Sequence, residues 1–139
     1  MNRVTKLLGI QYPVVQGAMQ EVATAELAAA VSNGGGLGII AAGGKTGEEV
    51  RAEIKRAKTL TTNPFAVNLM LMDPNTPDVV KVVIEEEVPI VTTGAGTPKN
   101  YMADLKGAGI KVVPVVPNVK IAKKMEDMGC DAVIAEGME

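Results

Sequence analysis

The feature that most constrains this chain is its alternation of short, β-branched apolar runs with longer amphipathic stretches. The apolar runs fall at residues 14–16, 37–41, 65–70, 90–93, 111–116 and 132–135. Their starts lie roughly 20–28 residues apart, the length of one βα unit. The runs are near-continuously apolar rather than alternating, which suits parallel strands covered by helices on both sides of the chain path. The spacing therefore predicts an α/β fold of successive βα units. Two architectures fit: an open doubly wound sheet, or a (β/α)₈ barrel with about six of its eight strands present. In both, function gathers at the carboxyl ends of the strands.

The amphipathic stretches carry helix signals. Residues 3–8 read as a short helix before the first strand. Thr46 and Glu49 have capping-box spacing ahead of Val50, Ile54 and Ala57. Thr76-Pro77 and Thr97-Pro98 each set a hydroxyl before a proline, the pattern of an N-cap followed by the first helical residue. The helix after Thr76 is expected to bury Val79, Val80, Val83 and Ile84, and the one after Thr97 Tyr101, Met102 and Leu105. Asn118 is expected to cap a helix with Ile121, Ala122, Met125 and Met128 on one face. Gly34–Gly36, Gly107 and Gly129 stand where helices should stop.

Composition narrows the chemistry. The chain has 139 residues, 47% hydrophobic and 22% charged, enough apolar material for a packed core. A formal net charge of −2 argues against binding nucleic acid by bulk electrostatics. No apolar run is long enough to span a bilayer, and Pro13 and Gln16 interrupt any secretory signal pattern, so a cytoplasmic location is expected. There is no histidine, and Cys130 is the single cysteine, so no metal centre is expected. Redox or group-transfer chemistry would need a cofactor. The pattern leaves homodimerisation open.

The loops after the runs are bare. Gln16-Gly17-Ala18-Met19 and Ala42-Gly43-Gly44-Lys45 expose backbone, which lets a flat ring approach or simply makes a tight turn. Gly36-Leu37-Gly38-Ile39-Ile40-Ala41 formally matches a dinucleotide fingerprint, but its glycines precede a strand instead of following one, so the match is rejected. Asn68 places a polar amide in an apolar strand, where it either bonds a neighbouring strand or meets the mixed edge of a ring. Thr93-Gly94-Ala95-Gly96-Thr97-Pro98-Lys99 joins a strand to a helix, and its backbone amides with Lys99 favour an anion. Glu136-Gly137 follows the last run, where a buried carboxylate would need a donor. Cys130 and most of the methionines read as core. Lys123-Lys124 and Glu85-Glu86-Glu87 read as solvated faces.

Several of these stretches together resemble a known family. They are 12–19 (YPVVQGAM), 35–40 (GGLGII), 64–70 (PFAVNLM) and 91–96 (VTTGAG). They are similar to the flavin barrel shared by nitronate monooxygenases and the FMN-dependent enoyl-acyl-carrier-protein reductases. Residues 112–117 (VVPVVP) and 131–139 (DAVIAEGME) look like the reductase branch in particular. The resemblance implies that residues 1–139 are the N-terminal portion of one FMN-binding TIM-barrel domain. It implies Gly17, Ala18 and Met19 against the isoalloxazine ring, Asn68 at its edge, and Gly43, Thr93, Gly94, Glu136 and Gly137 as further FMN contacts. NADPH or NADH would donate hydride, and an enoyl thioester on acyl carrier protein would receive it. Lys45, Lys99 and Lys120 would then lie where an acidic carrier protein docks. In the family the last motif runs on into Ala-Gly-Gly-His, whose histidine is the usual catalytic residue, and later glycine-rich loops hold the FMN phosphate. This sequence contains neither, so no catalytic residue is assigned. The alternatives are a nitronate monooxygenase and a non-catalytic α/β half-barrel module.

Overall fold

The structure, a computed structural model, describes residues 2–137. Its elements follow the chain as α1 (Arg3–Leu8), α2 (Ala25–Asn33), β1 (Gly38–Ala41), α3 (Gly47–Leu60), β2 (Phe65–Met70), α4 (Thr76–Glu85), β3 (Ile90–Gly94), a 3₁₀ turn (Lys99–Tyr101), α5 (Met102–Gly107), β4 (Lys111–Val116), α6 (Val119–Asp127) and β5 (Ile134–Ala135). The strands form one parallel sheet in the order β1-β2-β3-β4-β5. A doubly wound sheet reverses its strand order at a switch point. This one never reverses, so the architecture is the open arc of a TIM barrel.

The two outermost runs fall short of the expected strands. Residues 14–16 make only a bridge, with Val15 opposite Leu37. Two bonds mark it, Leu37 N–H to the Val14 carbonyl at 2.9 Å and Gln16 N–H to the Leu37 carbonyl at 3.0 Å. The run expected at 132–135 contracts to Ile134–Ala135. Both lie at edges of the arc with a neighbour on one side only, so half of their backbone ladder has nothing to pair with.

Side-chain alternation splits the core into two layers. Phe65, Val67 and Leu69 of β2 face the helices, packing with Val50, Ile54 and Ala57 of α3 and Val79, Val80 and Val83 of α4. The opposite, concave face carries Leu37, Ile39, Ala66, Ile90 and Val113, and Leu8 and Ile10 from the α1 end close its floor. Inner-face residues nearer the carboxyl ends become polar or bare. Ala41, Asn68 and Thr92 align across β1, β2 and β3, with Met70 and Gly94 one layer higher.

Most helix ends follow the local chemistry. Thr46 accepts from Glu49 N–H at 3.2 Å and Asn118 from Ile121 N–H at 2.9 Å. Thr76 is different. The cap position belongs to Asn75, and the Thr76 hydroxyl instead donates to the Met70 carbonyl at 2.6 Å, fastening α4 to the end of β2. Thr97 accepts from Lys99 N–H at 3.3 Å but introduces the 3₁₀ turn, with Pro98 at its cap. Gly107 ends α5 inside its last turn, and the left-handed residue after it is Gly109. Glu86 is less solvated than its sequence suggests, because Arg51 of α3 reaches Glu85 at 2.6 Å and Glu86 at 3.4 Å across the helix pair.

Candidate functional site

Parallel strands bring every strand-end loop to one rim, and contacts across the rim fix their order. A Cβ placed on Gly43 would touch the Met70 side chain at 3.6 Å. Leu71 N–H donates to the Gly94 carbonyl at 3.0 Å. Glu136 N–H donates to the Val116 carbonyl at 3.1 Å at the far edge. Ala95, Gly96, Lys99, Val115, Met125 and Glu136 line one cleft of about 840 Å³ between the loop after β3 and α6. Gly17 enters the rim from the other edge. There the Gln16 side chain donates to the Ile39 carbonyl at 2.9 Å and accepts from Ile39 N–H at 3.3 Å, so its amide replaces the ladder that the short first run lacks.

The glycines of this chain divide by what needs them. A Cβ on Gly38 would lie 1.8 Å from the Ala28 carbonyl oxygen, so Gly38 exists to let α2 touch β1. Gly35 and Gly44 have left-handed backbones, at φ 100° and 77°. Gly17, Gly94 and Gly137 have neither reason, since none has positive φ and a Cβ on any of them meets nothing within 4 Å. Their bareness leaves free space above the rim, not a tighter protein. Ala18 beside them is exposed, and Met19 is 44% exposed.

Asn68 is oriented by the Thr92 hydroxyl, which donates to its Oδ1 at 2.8 Å. That fixes the amide so that Nδ2, which has no protein acceptor among the described residues, remains as an outward donor. Thr93 is placed differently from its neighbours. Alternation turns it to the helix layer, where it is fully buried and its Oγ1 has no hydrogen-bond partner. Only the backbone of Thr93 belongs to the concave side. Glu136 and Gly137 are exposed, so the expected buried carboxylate is not found. The reason is the two-residue β5 at the edge, over which none of the described residues folds. Met138 and Glu139 lie outside the described residues.

Asp73 escaped the sequence reading. Its Oδ2 accepts from Gly44 N–H at 2.6 Å and its Oδ1 from Asn75 N–H at 2.8 Å, clasping the loop after β1 to the loop after β2. Those two amides, Asn75 first, hold its carboxyl below the usual carboxylate range. The signal was the Asp73-Pro74 step, a turn initiator whose side chain bonds the backbone two residues on. Burial, with the neighbouring Asp131 second, pushes the Cys130 thiol up, and its sulfur lies 4.0 Å from that of Met102. Among the described residues no group of metal-ligating side chains occurs, and no helix is long and apolar enough to cross a membrane.

The nitronate monooxygenase family profile matches residues 1–82 and 75–139. The chain belongs to the nitronate monooxygenase family. Among solved structures, FabK from Thermotoga maritima superposes with a TM-score of 0.97 at 48% identity, over 99% of this chain and 44% of that one. The (3aS,4S,5R,7aS)-5-hydroxy-7a-methyl-1-oxo-octahydro-1H-indene-4-carboxyl-CoA dehydrogenase of Rhodococcus jostii (strain RHA1) is 39% identical over 136 residues, which are 98% of this chain and 38% of that protein. The nitronate monooxygenase of Pseudomonas aeruginosa is 32% identical over 177 aligned positions, covering 99% of this chain and 50% of the relative. This family member thus spans half or less of the length of these relatives. The Pseudomonas alignment is longer than the 139-residue chain, so that relative carries residues without a counterpart here.

Proposed function

We propose that this chain forms the flavin-facing half of an FMN-dependent enoyl-acyl-carrier-protein reductase. The observation that carries the reading is the bare glycine cradle. Gly17 and Gly94 need be glycine neither for packing nor for backbone, and they belong to the strand-end loops of the same parallel sheet that carries Asn68, whose amide presents a fixed donor. A planar ring with a mixed polar edge fits that combination. Gly17, Ala18 and Met19 would lie against the ring, with Gly43 and Gly94 below it. Asn68 Nδ2 would donate to its edge, the Thr93 backbone would border it, and Glu136 and Gly137 would contact it from the far side. Bound FMN supplies the relay of hydride from NADPH or NADH to the enoyl double bond. The protein's share is orientation, and a fixed amide dipole costs no reorganisation when charge develops.

Two facts favour the reductase branch over nitronate oxidation. The FabK likeness covers nearly the whole chain at 48% identity. The Pseudomonas nitronate monooxygenase aligns only with residues that have no counterpart here, whereas the acyl-CoA relative aligns over 136 positions. A carrier-protein partner is part of the same reading. Lys99 opens the 3₁₀ turn and Lys120 the first turn of α6, both exposed at the rim, and Lys45 follows Gly44 there half-buried. Charge reversal at Lys45 and Lys99 should raise the KM for carrier-protein substrate but not for a short thioester.

The decisive experiment compares two turnovers on the purified flavoprotein. NAD(P)H consumption with crotonyl thioester is expected, without oxygen uptake from alkyl nitronate. Oxygen uptake with nitronate and no thioester reduction would overturn the reductase assignment. A colourless stable dimer, with neither turnover, would instead identify a non-catalytic module.

A further inference from the structure

We infer that Thr92 is a positioning residue: it keeps the Asn68 amide N–H first toward the flavin edge, and so sets how strongly the site favours the reduced ring over the oxidised one. The inference rests on the flavin reading above and adds the residue that stands behind Asn68 without touching the ring.

Asn68 and Thr92 lie opposite each other in the register of β2 and β3, two strands with a partner on each side. The Thr92 hydroxyl donates to Asn68 Oδ1 at 2.8 Å. Thr92 is 2% exposed, whereas Asn68 is half-buried and reaches the open side. A β-branched side chain has few χ1 rotamers, so the hydroxyl is held in place. Thr92 is also the one polar residue lining the inner hollow, whose other walls, Leu8, Leu37 and Val113 among them, are apolar. Among the described residues the hydroxyl has no acceptor other than Asn68. Thr93, next along the strand, supplies nothing comparable, since its hydroxyl is buried without a partner.

This arrangement decides which way the amide points. Turned over, the amide would give Nδ2 to the hydroxyl oxygen, and the hydroxyl hydrogen would be left without an acceptor. An unpaired donor in the interior disfavours that state by about tenfold or more. The threonine therefore converts an ambivalent amide into one that offers only N–H to the ring. Reduction adds electron density along the carbonyl-bearing edge of a flavin. A fixed N–H dipole at that edge stabilises the reduced ring more than the oxidised one and needs no reorganisation.

The test is the midpoint potential of the flavin-loaded enzyme against a reference dye, with oxidised FMN affinity from fluorescence titration alongside. Thr92→Val keeps the side-chain shape and removes the donor. Its ratio of reduced to oxidised FMN affinity should fall about tenfold, which lowers the midpoint by about 30 mV. Asn68→Asp sets a carboxylate oxygen at the same edge and should lower the midpoint further. Thr92→Ser keeps the hydroxyl and should restore most of the wild-type value. A packing role gives the opposite order, with Thr92→Val like the wild type and Thr92→Ser impaired. An unchanged midpoint in FMN-loaded Thr92→Val would overturn the inference, as would a Thr92→Ser midpoint displaced as far as that of Thr92→Val. Either result leaves the flavin reading standing. If the wild-type enzyme binds no FMN, the flavin reading itself falls and the role of Thr92 with it.

Discussion

At the scale of single residues, the glycines give the sharpest contrast. Gly38→Ala sets a methyl against the Ala28 carbonyl, whose position α2 fixes, and should cost roughly 1–3 kcal/mol or prevent folding, read from urea midpoints. Gly94→Ala has open space and should leave stability within about 0.5 kcal/mol. It should nonetheless weaken FMN about tenfold in a fluorescence titration, because the lost space is where the ring would lie. Thr93→Val removes a buried hydroxyl with no partner while keeping the side chain's shape. It should be neutral or stabilising by about 1 kcal/mol in the same melts. Asp73 carries the pH prediction. Its folded carboxyl titrates below the ordinary ~3.9, so its clasp is fully in place above that value and is lost as pH falls through the lower folded one. The Gly44 amide should report this as an NMR shift that moves only at strongly acidic pH. Sequence disclosed that Asn68 was anomalous but not how it is used. The bond to a neighbouring strand is the one observed, with Oδ1 taking the Thr92 hydroxyl, and Nδ2 is left without a protein acceptor among the described residues. The direction of Thr93 was also unreadable, because a one-residue change of register exchanges the two faces.

At the scale of elements, what was legible depended on how many neighbours each one has. The strands at 65–70 and 111–116 match expectation to the residue because a partner on each side enforces their pairing. The runs at the two edges are as apolar as the others, yet they pair over a bridge and over two residues. Composition records burial in the complete layer, whereas pairing is set by which neighbours are there. Helix starts were legible where a side chain bonds its own backbone, as at Thr46 and Asn118. Thr76 misled because its hydroxyl found the Met70 carbonyl, a contact that depends on tertiary placement. The α3–α4 layer should be the most sensitive to truncation. Ile54→Ala, at a fully buried position facing both the sheet and its neighbouring helices, should cost about 2–5 kcal/mol by chemical denaturation.

At the scale of the whole molecule, the arc has an outer layer that is finished and an inner one that is not. Its concave face is apolar below and bare above. Val4, Val15 and Val133 are exposed around an inner hollow of about 130 Å³ that Leu8, Leu37 and Val113 also line. Residues 1–139 on their own should therefore self-associate or bind an apolar dye, and should hold FMN more weakly than micromolar. Sub-micromolar affinity with a native flavin spectrum would refute this. Each strand pairs with the next one along the chain, so every stretch of sheet closes over a single βα unit. A sheet wired in this way can grow by accretion: each unit released by the ribosome docks onto an edge already waiting, and shortening the chain by one unit moves that edge back without scrambling what came before.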